Sequence, residues 1–175
     1  MTSFTKLFSP FKIGSLDIKN RMVMSPMETH LCDKEGYVTD EIIAYYKERT
    51  LGGVGYITVE NTSVDPVGRV NDGMLCIHDD KFISGFKKLT DSIHAVGGKI
   101  VLQLSHAGKE ALPYFTGTKT VSASAIPSPL TKEMPTELTA EGIKATVNKF
   151  TEGANRAVKA GFDGVEIHMA HGYLV

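Results

Sequence analysis

The chain has 175 residues, of which 42% are hydrophobic and 22% charged, and a formal net charge of -1. That length supports one domain with a substantial core, and that charge excludes the basic footprint of a nucleic-acid or anionic-membrane binder. No apolar run approaches the roughly 20 residues needed to span a bilayer. "MTSFTKLFSPF" has no signal-type apolar core, and Cys32 and Cys76 form no CxxC, so the expectation is a cytoplasmic protein with two free thiols.

In chain order, "FKIGSLDIKN" (11–20) alternates around Gly14-Ser15 and predicts a hairpin. "RMVMSPM" (21–27) predicts a buried strand stopped by Pro26. "VTDEIIAYYKERTLGG" predicts a helix capped by Thr39 or Asp40, with Ile43, Tyr46 and Leu51 on its apolar side and Gly52-Gly53 ending it. "VGYITVE" (54–60) predicts a second strand. "HDDKFISGFKKLTDSIHAVGG" repeats the helix scheme with Phe82, Phe86, Leu89 and Ile93 apolar. "KIVLQLSH" (99–106) predicts a third strand, and 109–135 a long loop rich in Pro, Ser and Thr. A helix follows from Thr139 to just before Gly161, then a fourth strand at 163–169. Apolar strands joined by helices predict a parallel sheet, either doubly wound or a closed (β/α)8 barrel. No GxGxxG follows the first strand, which weighs against the dinucleotide-binding arrangement.

Alternation along each strand separates an apolar side from a polar one. Ile57 and Val59 oppose Thr58 and Glu60. Ile100, Leu102 and Leu104 oppose Val101, Gln103 and Ser105. Val165, Ile167 and Met169 oppose Glu166 and His168. Polar groups gather toward the C-terminal strand ends, with His106, His171 and Tyr173 just beyond. A buried unpartnered polar group costs on the order of 1–3 kcal/mol, so this pattern predicts a ligand site at the mouth of a barrel. His168 and His171 are three apart, but on a strand and turn rather than a helix, which argues against a zinc pair. His30, His78 and His94 read as ordinary loop and helix histidines.

"LFSPFKIGSLDIKNRMVMSPM", "VGYITVENTSV", "QLSHAGK" and "AGFDGVEIHMAHGYL" together resemble the Old Yellow Enzyme family of flavin-dependent ene-reductases. The similarity is greatest to its branch of 2,4-dienoyl-CoA and enoate reductases, and it runs in family order from residue 7 to the end. The resemblance implies a (β/α)8 barrel holding FMN, reloaded by NADH or NADPH, that reduces the C=C bond of a small α,β-unsaturated carbonyl. By position it implies Ser25, Pro26, Met27 and Glu28 beside the flavin after strand one, Asn61 after strand two, and Gln103 on the flavin pyrimidine edge. It implies His168 and His171 as the pair gripping the substrate carbonyl, and Tyr173 as proton donor. The chemistry agrees: hydride at the β-carbon and a proton at the α-carbon build charge on the carbonyl oxygen, which N–H donors stabilise.

Two features depart from the family pattern. Glu28 stands where relatives carry Thr or Cys, and a carboxylate there disfavours negative charge on reduced flavin unless it is protonated or turned away. Only four of eight strands are visible, whereas complete barrels run to about 250 residues. Residues 1–175 therefore read as a partial FMN-binding domain: about four β/α units plus an N-terminal hairpin, the N-terminal half of a TIM barrel. Any iron–sulfur cluster would lie in a C-terminal region outside it. The open edges predict self-association or completion by a C-terminal half. The chain is expected to be inactive alone; the alternative is a non-catalytic half-barrel serving only as an assembly module.

Overall fold

A computed structural model describes residues 4–175. The hairpin forms as β1 (Phe11–Ile13) and β2 (Leu16–Ile18), paired antiparallel around Gly14, whose φ is 58°. Then come β3 (Val23–Met24), α1 (Asp40–Leu51), β4 (Tyr56–Ser63), β5 (Leu75–Cys76), α2 (Ile83–His94) and β6 (Ile100–Ser105). The long loop holds α3 (Pro113–Thr116) and β7 (Val121–Ser122), and β7 pairs with β8 (Thr136–Glu137) in a separate two-stranded sheet. The chain closes with α4 (Ala140–Lys159) and β9 (Gly164–Ile167).

The main sheet runs β3-β4-β6-β9, all parallel, with short β5 added beside the end of β4. Four strands in sequence order, each pair joined by a helix, make half of the eight-strand closed barrel. The helices begin where their sequences dictate. Thr39 caps α1 by accepting from Ile42 N, and Thr139 caps α4 by accepting from Gly142 N. Gly53 and Gly161, at φ of 100° and 88°, turn the chain out of α1 and α4.

The core lies between the sheet and the helices. Ile57, Val59, Ile100, Leu102 and Leu104 meet Phe86, Leu89, Ile93 and Ala157 there, all fully buried. In α1 the buried stripe is Ile42, Tyr46 and Thr50; of the predicted Ile43, Tyr46 and Leu51, Ile43 is half-buried against the core and only Leu51 misses it. Thr50 can be buried because its hydroxyl donates to Tyr46 O at 2.9 Å, and Leu51 is left 60% exposed.

Three strand expectations are corrected. The first strand is two residues long and sits at an edge, with Val23 exposed, because only β4 pairs with it. β9 is the opposite edge, and its apolar side is not covered: Val165 and Ile167 are 40% and 41% exposed. The third correction is at Glu60. The β4/β6 register slips between Val59 and Thr62, a β-bulge. The extra residue carries Glu60 away from the sheet's polar side to α1, where Tyr46 OH donates to Glu60 Oε2 at 3.0 Å.

Candidate functional site

Seven residues line one cavity of about 170 Å³: Pro26, Glu28, Asn61, Gln103, His168, His171 and Tyr173. They come from the segment after β3 and from the C-terminal ends of β4, β6 and β9, four places that sequence separates by up to 147 positions. Parallel pairing brings them together. The bulge that displaces Glu60 returns Asn61 to the polar side, and Gln103 and Glu166 are direct partners across β6 and β9. Ser25 and Met27 are exposed beside the cavity and do not line it.

The last turn is built by backbone geometry. Tyr173 N donates to Ala170 O at 3.2 Å, and between them His171 and Gly172 have φ of 61° and 72°. Two successive left-handed residues define a type I′ turn, which glycine adopts freely and histidine tolerates better than most residues. The turn folds the His171 ring back onto His168, with 3.2 Å between His171 Nδ1 and His168 Nε2. The Tyr173 ring stands edge-on to His168, centroids 4.8 Å apart.

Burial and the neighbouring His171 lower the pKa of His168, against a smaller opposing pull from Glu166. A neutral pair carries two ring N–H groups, and their mutual hydrogen bond uses one. One donor is therefore free for a ligand. Offering two requires that the mutual bond open or that the pair take up a proton. Tyr173 is pushed up by burial and by the carboxylates of Glu28 and Glu110, which keeps its phenol protonated. Glu28 is held at one oxygen by Asn71 Nδ2 at 2.8 Å but still lines the cavity.

The surrounding groups fix this arrangement. His106, expected near the site, is buried and structural. Its Nδ1 accepts from Gly108 N at 3.0 Å, so Nε2 carries the proton and faces Asp65 Oδ2 at 3.5 Å. Burial alone would raise the Asp65 pKa, but hydrogen bonds from His106 and Lys149 hold it well below the usual carboxylate range. His106 O accepts from Leu174 N at 3.0 Å, tying the Tyr173 turn to the end of β6. His94 bonds Asp163 at 2.8 Å, and His78 stands edge-on to Phe82, both as ordinary residues.

Glu110, Asn71 and Asp65 were not legible as neighbours of the site, because they lie in loops or at single 3-10 turns, too short for any periodicity to assign a facing. Among the described residues, no three His, Cys, Asp or Glu side chains converge as a metal site. Among the described residues, no helix is long and apolar enough to cross a membrane.

The cavity's donor chemistry suits part of a flavin mononucleotide. The ring of FMN has an imide edge that needs both donors and acceptors, and the amides of Asn61 and Gln103 supply both. A phosphate needs cations or clustered backbone N–H groups. None of the seven lining side chains is Lys or Arg.

Residues 6–175 match the family described as NADH:flavin oxidoreductase / NADH oxidase. The chain is 44% identical to an NADH oxidase of Thermoanaerobacter brockii, over 100% of this chain and 27% of that protein. It is also 44% identical to an NADPH dehydrogenase of Bacillus subtilis, over 97% of this chain and 50% of that one. Among solved structures it resembles morphinone reductase, with a TM-score of 0.91 and 30% identity over 99% of this chain and 50% of that one. The old yellow enzyme from Trypanosoma cruzi gives a TM-score of 0.89 and 32% identity, over 98% and 52%. The chain spans about half the length of the NADPH dehydrogenase and about a quarter of the NADH oxidase. Its fold is an α/β half-barrel.

Proposed function

The chain belongs to the NADH:flavin oxidoreductase / NADH oxidase family, and on that footing we propose that it forms the substrate-gripping half of an FMN- and NAD(P)H-dependent enzyme. The reaction is reduction of the C=C bond of an α,β-unsaturated carbonyl. The observation that carries this reading is the single cavity shared by Asn61, Gln103, His168, His171 and Tyr173.

FMN, when bound, supplies the two-electron chemistry. Gln103 and Asn61 bind its imide edge. His168 and His171 orient the substrate carbonyl and stabilise charge on its oxygen, where a positioned donor contributes about 2.7–4 kcal/mol. Tyr173, kept protonated by burial, Glu28 and Glu110, holds the proton destined for the α-carbon.

Activity needs a second half. The groove between α4 and β9, about 580 Å³, is lined mainly by apolar side chains, including Ile143, Val147, Phe150 and Ile167. Relatives twice as long carry further chain that would cover it. A C-terminal half of the kind found in those relatives is the proposed occupant, and alone the chain is proposed to be inactive.

The test is single-turnover kinetics on the chain assembled with such a half and FMN. Tyr173→Phe should slow alkene reduction by 10²–10⁴-fold, the usual span for a general acid, while reduction by NAD(P)H is spared. Equal loss in both half-reactions would remove Tyr173 from the proton-donor role.

A further inference from the structure

Gln103 and Glu166 are partners in register on adjacent parallel strands, so their side chains leave the sheet side by side. Gln103 is only 6% exposed, and its Nε2 lies 2.6 Å from Glu166 Oε1. A glutamine amide is ambiguous in isolation, since its oxygen and nitrogen can exchange places by a half-turn. A carboxylate is acceptor-only when ionised, and at that distance it selects the NH₂ end. The amide oxygen is thereby turned elsewhere. The cavity that Gln103 lines is on that side of the sheet, and Glu166 is not among the cavity's lining residues.

We infer that Glu166 is a positioning residue: by holding Gln103 Nε2 it fixes Gln103 Oε1 as an acceptor for the cavity, with one N–H left over as a donor. Such an edge is complementary to a ligand offering a donor beside an acceptor, as an imide N–H beside a carbonyl does. It opposes a ligand edge made of acceptors alone. For the ligand this rests on the FMN reading above; the link between Glu166 and Gln103 does not.

The two parts are tested separately on the 175-residue chain. First, without FMN, the Gln103 side-chain NH₂ is followed by ¹H–¹⁵N NMR at neutral pH. One proton should be shifted downfield and protected from exchange, and Glu166→Gln should abolish this while leaving the backbone spectrum in place. The same shifted proton in Glu166→Gln and Glu166→Ala would overturn the proposal. Second, FMN is compared with 3-methyl-FMN, which lacks the imide proton. The unmodified chain should favour FMN by about tenfold, the ratio expected of one hydrogen bond near 1.4 kcal/mol. Glu166→Gln, whose amide can pair in either sense, should bring the ratio to about twofold or less. A ratio unchanged by Glu166→Gln would refute the selection role. If FMN perturbs no resonance while the shifted proton behaves as stated, the flavin reading fails and the positioning of Gln103 by Glu166 stands.

Discussion

Tyr46→Phe tests the packing that holds the segment after β3 against the sheet. Tyr46 and Glu60 are both fully buried. The phenol donates to Glu60 Oε2 at 3.0 Å and accepts from Glu60 N at 2.9 Å, while Thr29 Oγ1 donates to the same Oε2 at 2.8 Å. Deleting the hydroxyl leaves the Glu60 N–H without its partner and the carboxyl with one donor fewer. An unsatisfied buried group costs about 1–3 kcal/mol, so the loss should be about 2–3 kcal/mol. For a chain of this size that is a fall in Tm of about 4–12 °C.

Glu60 also gives the effect a pH signature. Burial raises its pKa from 4.5, against the opposing hydrogen bonds of Thr29 and Tyr46. Between the unfolded and folded values, the native state binds more protons than the unfolded one. Stability is therefore full below the unfolded value and is lost as pH rises toward the folded one. Tyr46→Phe removes a bond that favours the carboxylate, so it should carry this decline to higher pH. Glu60→Gln should abolish it. Urea denaturation across pH 4–9 reads all three proteins. A Tyr46→Phe cost under about 0.5 kcal/mol, or an unchanged slope in Glu60→Gln, would refute the buried network.

Three further outcomes are expected. Asp163 accepts from His94, Lys99 and Ile100 N, and these bonds lower its pKa although burial alone would raise it. Asp163→Asn should cost about 1–3 kcal/mol at pH 7, and the gap should close as pH falls through the lowered value; a gap constant down to pH 2 would contradict this. At Gly55 an added Cβ would sit 2.4 Å from the Asn20 backbone oxygen, so Gly55→Ala should cost about 3 kcal/mol or more, and a neutral result in thermal melts would count against that close approach. Val147 is 58% exposed in the α4/β9 groove; Val147→Glu should change the stability of the chain by less than about 0.5 kcal/mol yet abolish capture of a C-terminal half in sedimentation, and undiminished capture would move the seam elsewhere.

Much of this was legible because the repeating pattern is strong. Thr39 and Thr139 announce their helices, and Phe82, Phe86, Leu89 and Ile93 fall on one buried face as their spacing requires. Alternation placed Gln103, Glu166 and His168 on one side of the sheet correctly. It failed at Glu60, because a bulge adds a residue without any mark in the sequence and shifts every facing beyond it. It also gave Val165 and Ile167 a helix-covered side, since apolar character says that a face wants cover and not whether this chain supplies it. β5, β7 and β8 are two residues each, too short for any period to register. The His168–His171 bond depends on the left-handed backbone of His171, a property of the turn rather than of residue type.

On the proposed reading, this half-barrel carries the imide-edge and substrate side of an FMN site. A ¹H–¹⁵N NMR titration of the 175-residue chain with FMN tests it without requiring tight binding. Shifts should saturate together at Asn61, Gln103, His168, His171 and Tyr173. Shifts confined to the apolar α4/β9 groove, or none at millimolar FMN, would contradict it.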